Sequence, residues 1–217
     1  MTDRNTGSDR RYTGEAVDIL YNVKRCIHAE FCVHRAAEVF DTQKRPWINA
    51  NGASADKIAT VIELCPSGAL HYDRKDGTGE TVPSKNVIKL RHNGPLEIRG
   101  DLSIQDTTAT MPQETRASLC RCGASNNKPF CDNTHKHIDF APIERDALAE
   151  PTTQAPGPLT ITATWNGPLE LDGPFEIVNE AGAVLFTGSS AALCRCGGSG
   201  NKPFCDGTHH RIGFTAE

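Results

Sequence analysis

Two stretches of this chain are near copies of one another, and each repeats the same cysteine–histidine spacing. CRCGASNNKPFCDNTH begins at Cys120 and CRCGGSGNKPFCDGTH at Cys194; only Ala124/Gly198, Asn126/Gly200 and Asn133/Gly207 differ between them. Upstream, NGPLE begins at Asn93 and again at Asn166, so the separation grows from 73 to 74 residues and one inserted residue accounts for it. A tandem duplication of this kind predicts two related folded units, each organised around the same set of ligand-type side chains.

The chain has 217 residues and nine cysteines, an odd number that cannot all pair as internal disulfides. The first twenty residues contain Asp3, Asp9 and Glu15 and no apolar run, and no later stretch reaches membrane-spanning length. The expectation is a cytoplasmic protein with reduced thiols and no membrane partner. A net charge of −4 gives no reason to expect nucleic acid. Only 37% of residues are hydrophobic and 6% aromatic, which favours several small units held by something besides packing over one large core.

Composition shifts divide the chain into a polar flexible tail (1–14), a mixed module (15–78), the first repeat (79–144), a Pro/Ala/Thr-rich linker (145–158) and the second repeat (159–217). In the mixed module, Ile19, Tyr21 and Val23 alternate as a strand, 32–40 suits a short helix, and Ala69–Tyr72 reads as a returning strand. Ser54 can cap a helix bearing Ile58, Val61, Ile62 and Cys65 and ended by Pro66. Each repeat opens with short half-buried strands: Ile88/Leu90, Leu96/Ile98 and Leu102/Ile104, then Ile161/Ala163/Trp165, Leu169/Leu171 and Phe175/Ile177. NEAG (179–182) predicts a hairpin before Val184. Asp132 and Asp206 are placed to cap short helices through His135 and His209.

The sets Cys120, Cys122, Cys131, His135 and Cys194, Cys196, Cys205, His209 each offer three soft thiolates and one imidazole. Cys-x₃-His spans one helical turn, so both side chains leave the same face. Gly123 and Gly197 allow the loop backbone to pass close to a buried cofactor, and nearby N–H groups can donate to sulfur. Arg121, Lys128, Arg195 and Lys202 read first as solvated side chains, with offsetting of cofactor charge or docking of partners as the alternative. Ligand chemistry alone leaves two choices open, a tetrahedral zinc site or a [2Fe–2S] cluster.

These strings resemble the CDGSH iron–sulfur (mitoNEET-like) family, with Ser125, Ser199, Pro129 and Pro203 falling in the family's pattern and Asn133 departing from its glycine. Asn tolerates a left-handed backbone better than other non-Gly residues, so the departure is compatible with a working loop. The resemblance implies a [2Fe–2S] cluster in each repeat. Cys120 and Cys122 would hold one iron and Cys131 and His135 the other; Cys194, Cys196, Cys205 and His209 would do the same. Two motifs in one chain also resemble the tandem members of the family, implying an intramolecular pseudo-dimer and a monomeric chain.

The mixed module offers Cys26, Cys32 and, before Pro66, Cys65. It resembles divergent single-cluster ferredoxin domains, with Ala29 standing where a further cysteine would be. A [3Fe–4S] cluster is the simplest inference. A [4Fe–4S] cluster completed by water, His28 or Glu30 stays open, as does the reading of three ordinary buried cysteines. His34 and His71 read as surface or packing residues. The fold class implied is α+β: a small ferredoxin-like α+β domain followed by two mainly-β CDGSH repeats.

No P-loop, nucleophile elbow or dinucleotide fingerprint occurs, and no catalytic residue is expected. The expected role is non-enzymatic: electron transfer, or storage and donation of clusters, toward a redox partner or an apo-protein acceptor. A metal-held interaction module is the rival. One neutral histidine in place of a thiolate predicts a raised potential and loss of cofactor below about pH 6.

Overall fold

Residues 9–107, 109–111, 114–143 and 156–216 are described by the structure, a computed structural model. The chain divides into two compact units, residues 1–81 with 111–113 and residues 82–110 with 114–217.

The first unit is a three-stranded antiparallel sheet, β1 (Asp9–Tyr12), β2 (Val17–Asn22) and β3 (Leu70–Arg74), in that spatial order. β1 corrects the expectation of a flexible tail for residues 9–12; residues 1–8 lie outside the described residues. Its order has an electrostatic cause. Arg11 pairs with Asp18 at 2.7 Å and with Asp73 at 2.5 Å, so one guanidinium ties together all three strands. Two helices complete the unit. α1 (Phe31–Arg35) is shorter than the 32–40 stretch expected, because Ala36 leaves the helical region and Ala36, Val39 and Phe40 are buried through a turn instead. α2 (Ala55–Ile62) is capped as expected, with Ser54 Oγ accepting from Lys57 N and with Ile58, Val61 and Ile62 buried. It ends before Cys65: the backbone bonds Leu64 N to Val61 O and Cys65 N to Ile62 O tighten its last turn. Val17, Ile19, Phe40, Ile48 and Ile58 form the centre of the core.

The second unit holds both repeats in one seven-stranded sheet. Its strands are β4 (Val87–Leu90), β5 (Leu96–Arg99), β6 (Leu102–Gln105), β7 (Arg116–Leu119), β8 (Leu159–Ala163), β9 (Leu169–Val178) and β10 (Val184–Leu193). Alternation places Ile88, Leu90, Leu96 and Ile98 inward, along with Ile161, Leu169, Leu171 and Ile177. Trp165 departs from its expected inward position: it lies in the turn after β8 and is 72% exposed. The hairpin at 179–182 forms between β9 and β10.

The repeats exchange strands. β4 pairs in parallel with the second half of β9 (Val87 opposite Glu176, Ile88 opposite Ile177), and β8 pairs in parallel with β6 (Ile161 opposite Ile104). Each repeat's first strand thus completes the other's sheet, and one hydrophobic cluster runs through both. The expectation of thin, separately stapled units is corrected for this half. Four-residue strands bury too little alone, and the exchange supplies the missing area. Residues 145–155 of the expected linker lie outside the described residues.

Candidate metal centres

β7 delivers Cys120 and β10 delivers Cys194 to the start of equivalent loops. Each loop then returns beside its own strand. Cys120 N donates to Pro129 O at 2.8 Å and Cys131 N to Ser118 O at 2.9 Å; Cys194 and Cys205 do the same with Pro203 and Ala192 at 2.8 Å. The third cysteine is thereby brought next to the first.

The donors come together in pairs. Cys120 and Cys122 sulfurs are 3.7 Å apart, and those of Cys194 and Cys196 are 3.8 Å apart. Cys131 Sγ lies 3.4 Å from His135 Nδ1, and Cys205 Sγ 3.3 Å from His209 Nδ1. Two ligands on one tetrahedral metal, with bonds of about 2.3 Å to sulfur and 2.0 Å to nitrogen, stand roughly 3.5–3.8 Å apart. Both pairs in each loop therefore have the span of a single metal atom. Among the described residues no three His, Cys, Asp or Glu side chains converge as a mononuclear site requires.

Polar side chains hold this geometry. Ser125 Oγ donates to Phe130 O and accepts from Asn127 N, as Ser199 does for Phe204 and Asn201. Asp132 Oδ1 accepts from Thr134 N and Oδ2 from Asn126 N; Asp206 accepts from Thr208 N and Gly200 N. The aspartates act one residue earlier than expected, since Asn133 (φ 71°) and Gly207 (φ 80°) are the residues that open the 3₁₀ turn Thr134–His137 and α3 (Thr208–Arg211). Asn133 does adopt the left-handed backbone anticipated for it. Its N–H donates to Cys131 Sγ, and that of Gly207 to Cys205 Sγ.

The solvated reading of the flanking basic residues is corrected. Arg121 and Arg195 are 2% and 1% exposed. Arg121 donates to Gly94 O and Arg91 O; Arg195 donates to Gly167 O and Thr164 O. Each fork therefore grips the Asn-Gly-Pro turn of its own repeat. Lys128 and Lys202 donate to the carbonyls of Ser125 and Ser199. The joint recurrence of NGPLE and CRCG was the available signal that these motifs form one structure.

Electrostatics favours a positively charged occupant. Burial pushes the Cys131 and Cys194 thiols up to about 11. Hydrogen bonding to Cys122, then burial, raises Cys120, while accepting that bond lowers Cys122 to about 6. At Cys120, Cys131 and Cys194 a thiolate is stable only against a cation, whose binding displaces the proton. Burial also lowers His135 and His209, keeping each imidazole neutral with a lone pair to offer.

In the first unit, Cys26 follows a 3₁₀ turn, Cys32 lies on α1 and Cys65 follows α2, and all three line one cavity of about 200 Å³. Burial raises Cys26, and raises Cys32 to about 11. Tyr21 lines the same cavity, a neighbour of the cysteines that the sequence did not disclose. Ala29 also lines the cavity, between two residues in the left-handed region, His28 (φ 50°) and Glu30 (φ 62°). Both flanking side chains are exposed, and Glu30 pairs with His34 on the surface. His71 is buried, 2.9 Å from Glu80.

Three thiol-rich sites, two of them near copies on a shared β-rich scaffold, define a cofactor-binding protein. Residues 93–136 and 166–210 match the family described as iron-binding zinc finger CDGSH type, and residues 12–75 match the divergent 4Fe-4S mono-cluster family. The chain is also 38% identical over 69 residues to the protein named "Uncharacterized protein YjdI" of Escherichia coli K12, and equally to that of strain O157:H7. That match spans 32% of this chain and 91% of the relative, and it fits the N-terminal part. The chain belongs to the CDGSH family in its tandem form, with a divergent mono-cluster domain ahead of the two motifs, and it binds iron–sulfur clusters. No helix among the described residues is long and apolar enough to cross a membrane.

Proposed function

We propose that this chain is a non-enzymatic cytoplasmic carrier of single electrons, or of clusters, with two [2Fe–2S] sites and a third site of [3Fe–4S] or [4Fe–4S] type. The observation that carries the reading is the donor pairing: two pairs per loop, each at the span of one metal atom, suit two bridged irons. Cys120 with Cys122, and Cys131 with His135 Nδ1, would hold the two irons of the first cluster. Cys194 with Cys196, and Cys205 with His209 Nδ1, would hold those of the second. Cys26, Cys32 and Cys65 would hold the third cluster, with no thiolate at Ala29. When bound, iron–sulfur clusters take up and release one electron at a time.

The residues around them set the conditions. Backbone N–H groups of Asn133 and Gly207 donate to sulfur and favour the reduced, more negative state. The strand exchange supports an internal pseudo-two-fold and a monomeric chain. The partners are a redox protein or an apo-protein acceptor, with neither nucleic acid nor membrane involved. Anaerobic purification followed by iron and sulfide analysis and EPR of oxidised and reduced samples tests the reading. Two reduced-state [2Fe–2S] signals and one distinct third signal are expected; colourless protein with stoichiometric zinc overturns it.

A further inference from the structure

The first unit carries a second concavity of quite different chemistry. An open groove of about 670 Å³ is walled by Arg10, Arg11, Tyr12, Arg45 and Trp47, and none of the residues lining it is acidic. Arg11 is committed to Asp18 and Asp73. Arg10 is exposed on β1, and Arg45 is held in place by donating to the carbonyls of Thr42 and Lys44. Neither meets a carboxylate among the described residues.

The groove adjoins the cysteine cavity: Thr42 and Trp47 wall both. The Trp47 ring meets Tyr21 edge-on, with centroids 5.1 Å apart and planes at 78°. Tyr21 in turn lines the cavity that holds Cys26, Cys32 and Cys65, and stands opposite Arg10 in the β1–β2 register. Trp47 and Tyr21, in ring contact, thus lie between the cysteine cavity and the basic surface.

We propose that this groove docks an acidic one-electron carrier protein, which exchanges electrons with the N-terminal centre across Trp47 and Tyr21. The proposal rests on the reading that Cys26, Cys32 and Cys65 hold a cluster. In reduction, the partner loses one electron and the N-terminal centre gains it; no bond forms or breaks and no proton moves. The chain carries a net charge of −4, so a groove in which Arg10 and Arg45 meet no carboxylate among the described residues is a local exception that draws an acidic partner and orients the encounter. Small-molecule sites enclose most of their ligand, whereas redox encounters use small, open contacts, and the groove is open.

The test uses the full-length, cluster-loaded protein and flavodoxin hydroquinone, an acidic one-electron donor, as the probe. Iron, sulfide and the third EPR signal are measured in every variant, and stopped-flow then follows reduction of the N-terminal centre at low and high salt. Arg10→Glu/Arg45→Glu, and Arg45→Glu alone as a change outside the sheet, are expected to slow reduction at least tenfold at low salt and to match wild type at high salt. Trp47→Leu is expected to slow it at both. A full signal with unchanged rates and salt dependence in the arginine variants overturns the docking alone. Absence of the third signal in wild type overturns the cluster reading and the proposal with it. Competition by millimolar ADP at constant ionic strength reassigns the groove to a small anion and overturns the protein partner.

Discussion

Gly123 lies so close to Cys196 that a Cβ built on it would stand 2.2 Å from the Cys196 carbonyl oxygen, and Gly197 stands in the same 2.2 Å relation to Cys122. Both glycines have left-handed backbones, with φ of +81° and +76°. The sequence assigns their close approach to a cofactor; the structure assigns it to the opposite repeat's cysteine loop. Gly123→Ala is therefore expected to cost more than about 2 kcal/mol and to lower iron content at both loops, not only its own. Thermal unfolding with iron analysis checks this, and an unshifted melting temperature with full iron would show that the loops do not meet.

The histidine ends of the two loops give a second expectation. Replacing His135 and His209 with Cys puts thiolates where neutral imidazoles stand, adding negative charge to each site and lowering its reduction potential. Burial already holds both imidazoles below the usual histidine range, so their loss by protonation is an acid-side event. Visible absorbance should disappear below about pH 6 in wild type and persist in the double variant. Redox titration and a pH series of spectra decide it.

Arg121 and Arg195 are each surrounded by carbonyls of an Asn-Gly-Pro turn. Truncating either to Ala leaves buried acceptors without donors, at a cost of about 2–4 kcal/mol to the second unit. Lys is expected to recover little, since an ammonium cannot reach two carbonyls in the planar fork geometry. Chemical denaturation of Arg195→Ala and Arg195→Lys measures both effects.

Much of the second unit is legible from period-two alternation and from the duplication itself, because half-buried strands and recurrent motifs are local in sequence. Strand exchange is not local. Nothing in Val87–Leu90 announces that its neighbour is Glu176–Val178, because parallel pairing is set by packing between segments almost ninety residues apart. The ligand-type residues are readable from spacing, whereas Tyr21, Trp47 and the buried arginines are not. Tyr21 reads as one more residue of an alternating strand, and Arg121 reads as a charged loop residue until the turn that it grips is known. The order of residues 9–12 was missed for a similar reason: DRRY is polar, and its strand depends on Arg11 finding Asp18 and Asp73.

That ion pair carries a pH dependence. Burial pushes the Asp18 carboxyl up, but bonds from Lys75, Arg11 and the Gly14 N–H outweigh it and hold it below its ordinary value of 3.8. The stabilisation is complete above the unfolded value and is lost as pH falls through the lower folded one. Asp18→Asn should remove about 1 kcal/mol from the first unit at pH 7 and flatten its acid-side stability profile below about pH 4. Denaturation of both proteins between pH 3 and 7 tests the sign.

A symmetric homodimer must accept every substitution twice, once on each side of its axis. Because the exchanged strands here belong to one chain, Asn133 can occupy one loop while Gly207 keeps the other. The duplication thereby releases the two loops from identity without giving up the mutual completion of their sheets. One site is free to differ in character from its twin, and a single chain can come to offer two unequal stations.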